Sequence, residues 1–306
     1  MTPTTAEPTS TPGRTTAAAK PSSMLLGVAC GAGAALCWAV GFVAARHGID
    51  LGFTPAELAL HRFAWSGFAF LPLVIRWGWQ EFQLGRGIVL TFFGGPPLAL
   101  ISYAGFLAVP LAHGGLIQPA CAATGGLVLA TLVLKEKLPP GRVVGAATII
   151  AGLAVIGGEA ISTIGAHGLL GDLAFATAGL FFATFSTLLR LWRMAPMRAA
   201  AIVSVIALID VPVHWMLFGF GHLVTFGFWE NLLQAVVQGI LAGPAAIYLF
   251  ARAVIILGAG RGAVFPSLVP PFTLLIGFIA LGAVPSVAQL VGLVIVIVGF
   301  RLTQRA

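Results

Sequence analysis

The chain is short of charge. Only 8% of its 306 residues are Asp, Glu, Lys or Arg, against 59% hydrophobic ones. That is too little polar surface to clothe a globule of this size, so a soluble domain is excluded. Cysteine is scarce as well. Cys30, Cys37 and Cys121 are odd in number, scattered, and each set inside an apolar run, which argues against a disulfide framework or a cysteine metal cluster and leaves them as small packing residues. No G-x-S-x-G, H-E-x-x-H, C-x-x-C or P-loop occurs, so no familiar catalytic set and no ATP-driven pump is written here. The expectations are no enzyme activity, no cofactor, no metal and no nucleic-acid partner. The net charge of +7 is read as a membrane-orientation signal instead.

Residues 1–23 contain no Leu, Ile, Val or Phe and are rich in Thr, Pro, Ala and Ser. They cannot nucleate a core and are predicted to be a disordered cytoplasmic tail. They also lack the apolar centre of a cleaved signal peptide.

What is abundant is apolar sequence, in runs of about 18 to 22 residues, each long enough to cross ~30 Å of hydrocarbon as a helix. The Leu/Ile/Val/Ala/Gly texture has no polar/apolar alternation, so a membrane barrel is excluded. Ten runs, at 24–45, 56–75, 87–109, 114–134, 141–159, 169–189, 198–219, 231–251, 262–282 and 284–301, predict an all-α integral membrane protein with ten transmembrane helices. With the amino terminus inside, fourteen basic residues fall on inner segments and only Arg46 and Arg62 on outer ones, out of 16 in all. Both termini are therefore predicted to be cytoplasmic. Trp77, Trp79 and Trp192 beside inner basic residues, and Trp229 beside an outer loop, fit interfacial anchors.

The sequence repeats itself. A shift of 147 positions lays Ala112 on Ala259, Gly115 on Gly262, Pro119 on Pro266, Gly145 on Gly292 and Gly152 on Gly299. At the start of each half a shift of 144 lays Gly27 on Gly171 and Arg46 on Arg190. Two halves, 24–159 and 169–301, with an odd number of spans each, must cross the bilayer in opposite senses. Two inverted five-helix repeats of this kind are the architecture of secondary transporters.

Beyond the tail, the chain resembles the EamA-like branch of the drug/metabolite transporter superfamily. The resemblance rests on the five-plus-five spans, a first span running from Gly27 to Trp38, Arg62 on the second, and in both halves a Pro-containing run followed by a Leu-Gly/Glu region and a Gly-bounded span. Leu134-Lys135-Glu136 and Leu281-Gly282-Ala283 depart from the family's Leu-Gly-Glu, so the acid survives only as Glu136. The resemblance implies a central cavity lined by spans 1–4 and 6–9, with YddG-type amino-acid exporters as the nearest bacterial relatives.

Polar groups inside hydrocarbon are costly, which makes them informative. Gln234, Gln238, Leu241, Ala245, Tyr248 and Arg252 recur at steps of four and three and form one helical stripe, facing either a cavity or a neighbouring helix that the glutamines tie down. Gln118 and Tyr103 are the matching candidates on spans 4 and 3. Glu57, His61 and Arg62 cluster at the outer end of span 2, where Arg62 could attract a carboxylate, or where all three could be an interfacial trio. Trp38 and Phe182 coincide under the 144 shift, as stacking platforms or as packing. Asp210, with His214 one turn on, is read as the acid deepest in the membrane, a candidate for proton coupling or for a structural pair. Prolines 96, 97, 119, 244, 266, 270 and 271 predict kinks, with Pro119, Pro266, Pro270 and Pro271 as possible hinges. The expected partners are a small-molecule substrate and the lipid bilayer, with the chain as monomer or homodimer. A drug, nucleoside or nucleotide-sugar carrier, a membrane-embedded enzyme and a scaffold are the competing readings.

Overall fold

The computed structural model describes residues 21–78, 83–137, 139–163, 165–257 and 265–305. Residues 1–20 of the expected tail, Trp79, and the start of the second repeat block with Ala259, Arg261 and Gly262 lie outside them. Among the described residues there are helices and connecting turns and no strand. Seven helical stretches among the described residues are long and apolar enough to cross a membrane, and shorter apolar ones at Pro140–Ile156, Phe265–Leu281 and Val287–Thr303 lie where the sequence predicts its fifth, ninth and tenth runs. The chain is a multi-pass, all-helical membrane protein.

The helices are α1 (Pro21–Leu51), α2 (Pro55–Trp77), α3 (Leu84–Gly94), α4 (Pro96–Gly105), α5 (Leu111–Leu132), α6 (Pro140–Thr163), α7 (Ala166–Leu191), α8 (Pro196–Ile206), α9 (Asp210–Phe218), α10 (Gly221–Thr225), α11 (Gly227–Gln234), α12 (Ala246–Leu257), α13 (Val269–Leu281) and α14 (Val287–Arg305). A π-helical segment, Ala235–Ala245, joins α11 to α12. The start of α2 is fixed locally. Thr54 caps the helix, Glu57 reaches back to the Thr54 backbone, and Pro55 opens the first turn, which satisfies two orphan N–H groups reciprocally.

The prolines behave differently from the expected mid-helix breaks. Pro96 and Pro97 open α4 after a break at Gly95 (φ −107, ψ −146), and Pro270 stands in the first turn of α13 with Pro271 next to it. First-turn N–H groups have no intrahelical acceptor, so a proline there forfeits nothing. Pro266 lies in the 3-10 turn Phe265–Leu268, and Pro119 sits inside an uninterrupted α5. A second break falls at Gly243 (φ −94, ψ −106), just before Pro244. Each half thus interrupts its third apolar run at a Gly-Pro step.

Packing interlocks the halves. α1 lies against the π segment, α12 and α13, while α7 lies against α4 and α5. The most extensive helix pair is α6 with α14, and it is a glycine seam. A Cβ on Gly152 would stand 3.0 Å from the Gly292 carbonyl oxygen and 2.8 Å from a Val296 methyl; one on Gly299 would stand 2.8 Å from the Gly145 oxygen and 2.6 Å from Ile149. Gly145 likewise meets Thr303, and Gly292 meets Ile156. Under the 147 shift each contact becomes another of the set: Gly145–Gly299 becomes Gly292–Gly152, and Ile149–Gly299 becomes Val296–Gly152. Missing side chains allow this close approach, which gives dispersion contact to helices that lipid would otherwise solvate equally well.

Candidate functional site

A group of buried polar side chains gathers where α1, α2, α4, the end of α11 and the π segment meet. Gln238, fully buried, donates from Nε2 to the Gly41 carbonyl at 2.8 Å, and its Oε1 accepts from the Tyr103 hydroxyl at 3.0 Å. Gln234, equally buried, donates to the Ala44 carbonyl at 2.9 Å, and its Oε1 has no partner. The Arg62 side chain is the charged neighbour of the Tyr103 hydroxyl and also lies 5.9 Å from the Phe63 ring. Glycines set this closeness: a Cβ on Gly41 would stand 2.8 Å from that of Ala242, and one on Gly239 would stand 2.4 Å from that of Trp65.

The expected stripe on span 8 is therefore split. Gln234 and Gln238 face α1, whereas Tyr248 is 54% exposed and Arg252 is exposed too. A stripe laid out at 3.6 residues per turn rotates off its face when the backbone passes through π turns and the Gly243 break. The two tyrosines consequently occupy different environments.

Beside this cluster, the C-terminal end of α1 and the N-terminal end of α2 clasp the 222–231 segment. His222 Nδ1 donates to Glu57 Oε1 at 2.8 Å, His47 bonds Glu230 at 3.1 Å, and Phe53 stacks on Phe226 with centroids 3.8 Å apart. His61 bonds Asn231 Oδ1 at 3.0 Å and accepts at Nδ1 from the Trp65 indole at 3.2 Å. An indole N–H can only donate, so the His61 proton sits on Nε2. Within the expected Glu57–His61–Arg62 cluster, the side chains have separate partners. Glu57 is 3% exposed, turned to the Thr54 cap and to His222, and makes no bond to His61 or Arg62.

The remaining candidates lie elsewhere. Gln118 accepts from Ser102 at 2.6 Å, tying α5 to α4. Trp38 packs on Phe250 at 5.6 Å, and Phe182 on Phe185 at 6.0 Å. Asp210 is half-buried just after a 3-10 turn, Ala207–Ile209. His214 is buried, stacked at 6.0 Å on Phe220, with Nε2 unpartnered; no hydrogen bond or ion pair joins it to Asp210 among the described residues.

The sequence reading missed a buried pair. His113 on α5 and Asp172 on α7, 1% and 6% exposed, bond at 2.8 Å, and Asp172 Oδ2 has no partner. The available signal was two ionisable residues near the starts of apolar runs, which sequence alone cannot pair across 59 positions. Ion pairs also hold Arg46 to Asp50 and, between the halves, Arg190 to Glu136. Arg46 additionally donates to the Phe106 and Val109 carbonyls, each at 2.9 Å. No group of three or more His, Cys, Asp or Glu side chains is placed to hold a metal among the described residues.

No curated protein matches the chain. A solved structure titled only "Crystal structure of protein" shares 20% sequence identity with it at a TM-score of 0.61, covering 92% of this chain and 96% of its own; at that identity the likeness shows the fold alone. Residues 25–158, which hold α1 to α5 and much of α6, match the model of the EamA-like transporter family.

Proposed function

We propose that the chain is a secondary transporter that exports small metabolites, amino acids among them, across a bacterial inner membrane. It works by alternating access between two inverted five-helix halves, 24–159 and 169–301, with both termini cytoplasmic. The observation that carries this reading is the convergence of Arg62 and Tyr103 from the first half with Gln238 from the second, inside an otherwise apolar bundle. Intramembrane polar groups of this kind are expensive to keep and mark solute or ion paths. The seam contacts support inversion, because the partner's number falls as the residue number rises, Gly145 meeting Gly299 and Gly152 meeting Gly292, so the two equivalent helices run antiparallel. The clasp supports an outer-closed state, in which solute reaches the polar cluster from the cytoplasmic side. Trp38, Gln118, Phe182 and Tyr248 are wall candidates in this scheme, and Asp210 and His214 candidates for coupling.

The test is flux into proteoliposomes of radiolabelled amino acids, nucleosides and cationic drugs under proton, sodium and no gradient. Saturable amino-acid movement that falls about tenfold or more in Arg62→Ala, the loss of one charged contact, is expected. Movement of nucleosides or drugs only removes the amino-acid assignment. No movement under any gradient removes transport.

A further inference from the structure

Gln238 is the residue on which the polar cluster turns, because the protein itself engages its carboxamide at both ends. One of its two N–H groups goes to the Gly41 carbonyl of α1 at 2.8 Å, and its oxygen accepts from Tyr103 at 3.0 Å. The Gly41 carbonyl belongs to a helix interior, where it already accepts from the helix ladder; the Gln238 bond is additional and can be broken without unwinding α1. One turn away Gln234 repeats the arrangement on Ala44 at 2.9 Å, and its Oε1, in a side chain with no exposed surface, is left without any partner. A buried amide oxygen with no donor is costly. Gln238 stands in the π segment, between the end of α11 at Gln234 and the break at Gly243, so the helix can shift there without a ladder of α bonds being broken first.

We infer that Gln238 is a recognition residue masked in this state: the α1 backbone occupies it while the outer side is closed, and on outer opening its N–H₂ joins the Tyr103 hydroxyl and the Arg62 guanidinium as three converging donors for a solute carboxylate. Three donors and one positive charge, with no acid beside them, select an acceptor-rich anionic head over a neutral amide or a cation. The α1 carbonyl and the solute then compete for the same donor, so closing the outer side ejects the head group from its site. Gln234 supports closure through Ala44 without touching the solute. This rests on the transport reading for its purpose, though its first test does not.

The experiment uses the full chain in lipid nanodiscs. Hydrogen exchange by mass spectrometry is followed over residues 39–48 and 222–238, with the α6–α14 seam as internal control. Gln238→Glu keeps the shape but loses the donor to Gly41 and adds a negative charge; Tyr103→Phe removes only the hydroxyl. In Gln238→Glu, exchange in both outer segments rises about tenfold, the effect of losing one buried charge-free hydrogen bond, while the seam is unchanged. Unchanged outer exchange overturns the masking, whatever binds. Equal rises in outer segments and seam mean a general loss of structure and overturn it as well, with Tyr103→Phe as the milder check on folding. Binding is then read by tryptophan fluorescence with L-leucine against L-leucinamide and hexanoate against hexanamide. The acids bind at least tenfold more tightly than the amides, and Gln238→Glu abolishes that preference. Equal binding of acid and amide, or no binding of either acid, overturns the carboxylate assignment while leaving the flux result to judge transport.

Discussion

The α6–α14 seam and the outer clasp both join the two halves, and they are built from opposite materials. The seam is dry and made of glycine, valine and isoleucine in contacts that map onto each other under one shift. The clasp is polar and aromatic, with different side chains from the two halves: His47, Phe53, Glu57 and His61 on one side, His222, Phe226, Glu230 and Asn231 on the other. Backbone packed against backbone cannot slide without collision. Hydrogen bonds near an aqueous rim can be exchanged for water at a net cost of only about 0.5–1.5 kcal/mol each. The seam thus suits the fixed part of a moving machine and the clasp the part that opens.

The sharpest way to break this division is the buried His113–Asp172 tie. Asp172→Ala strands the His113 ring in a site 1% exposed and costs about 3 kcal/mol of fold stability, the scale for removing one partner of a buried pair. It should lower the thermal midpoint in detergent rather than merely shift outer exposure. Next comes the seam. Gly299→Val places a branched side chain where a Cβ already meets the Gly145 oxygen at 2.8 Å, and costs about 1–3 kcal/mol. The same scan should record a lower midpoint, with hydrogen exchange raised in α6 and α14 together. A smaller effect is expected from Thr54→Ala, which deletes the α2 cap at about 1 kcal/mol and frees Glu57. Hydrogen exchange should rise at 222–231 while the midpoint moves little. Smallest is His47→Gln. The His47–Glu230 pair is about a third exposed on each side (34% and 35%), so its loss costs only ~0.5 kcal/mol, measurable as a slight increase in exchange near Glu230. Should His47→Gln and Gly299→Val give equal losses, the seam and clasp are not different in kind.

Much of this was legible in the sequence, for identifiable reasons. Hydrophobic run length places the helices because a bilayer leaves the backbone few options. The spacing of Gly145, Gly152, Gly292 and Gly299 shows the repeat that the seam then uses. Tyr103, Gln238 and Arg62 could be singled out because any polar group in such a run stands out. Direction of facing was not legible: the stripe through Gln234 and Tyr248 assumes α periodicity, and the π segment violates it. The expected proline kinks are present at the Gly95–Pro96 and Gly243–Pro244 steps, whereas Pro119 sits inside an uninterrupted α5 and Pro270 and Pro271 open α13; run length alone does not tell these cases apart. Partnerships across the halves, His113 with Asp172, Glu57 with His222 and Glu136 with Arg190, depend on tertiary packing and leave no trace in spacing.

The central claim is that the outer clasp must open for solute to cross while the seam stays shut. The direct measurement is flux in proteoliposomes of a radiolabelled amino-acid mixture, in a background where Cys30, Cys37 and Cys121 are alanine. One variant carries Phe53→Cys with Phe226→Cys, bridging rings that stack at 3.8 Å. The other carries Gly145→Cys with Thr303→Cys, where a Cβ on Gly145 would stand 2.6 Å from the Thr303 methyl. Each is joined by a short thiol-reactive linker that a reductant removes. Bridging the clasp should stop flux and reduction restore it, while bridging the seam leaves flux within about twofold of the unbridged protein, a difference of under 0.5 kcal/mol. Undiminished flux through a bridged clasp, or flux stopped by the seam bridge alone, would contradict the account.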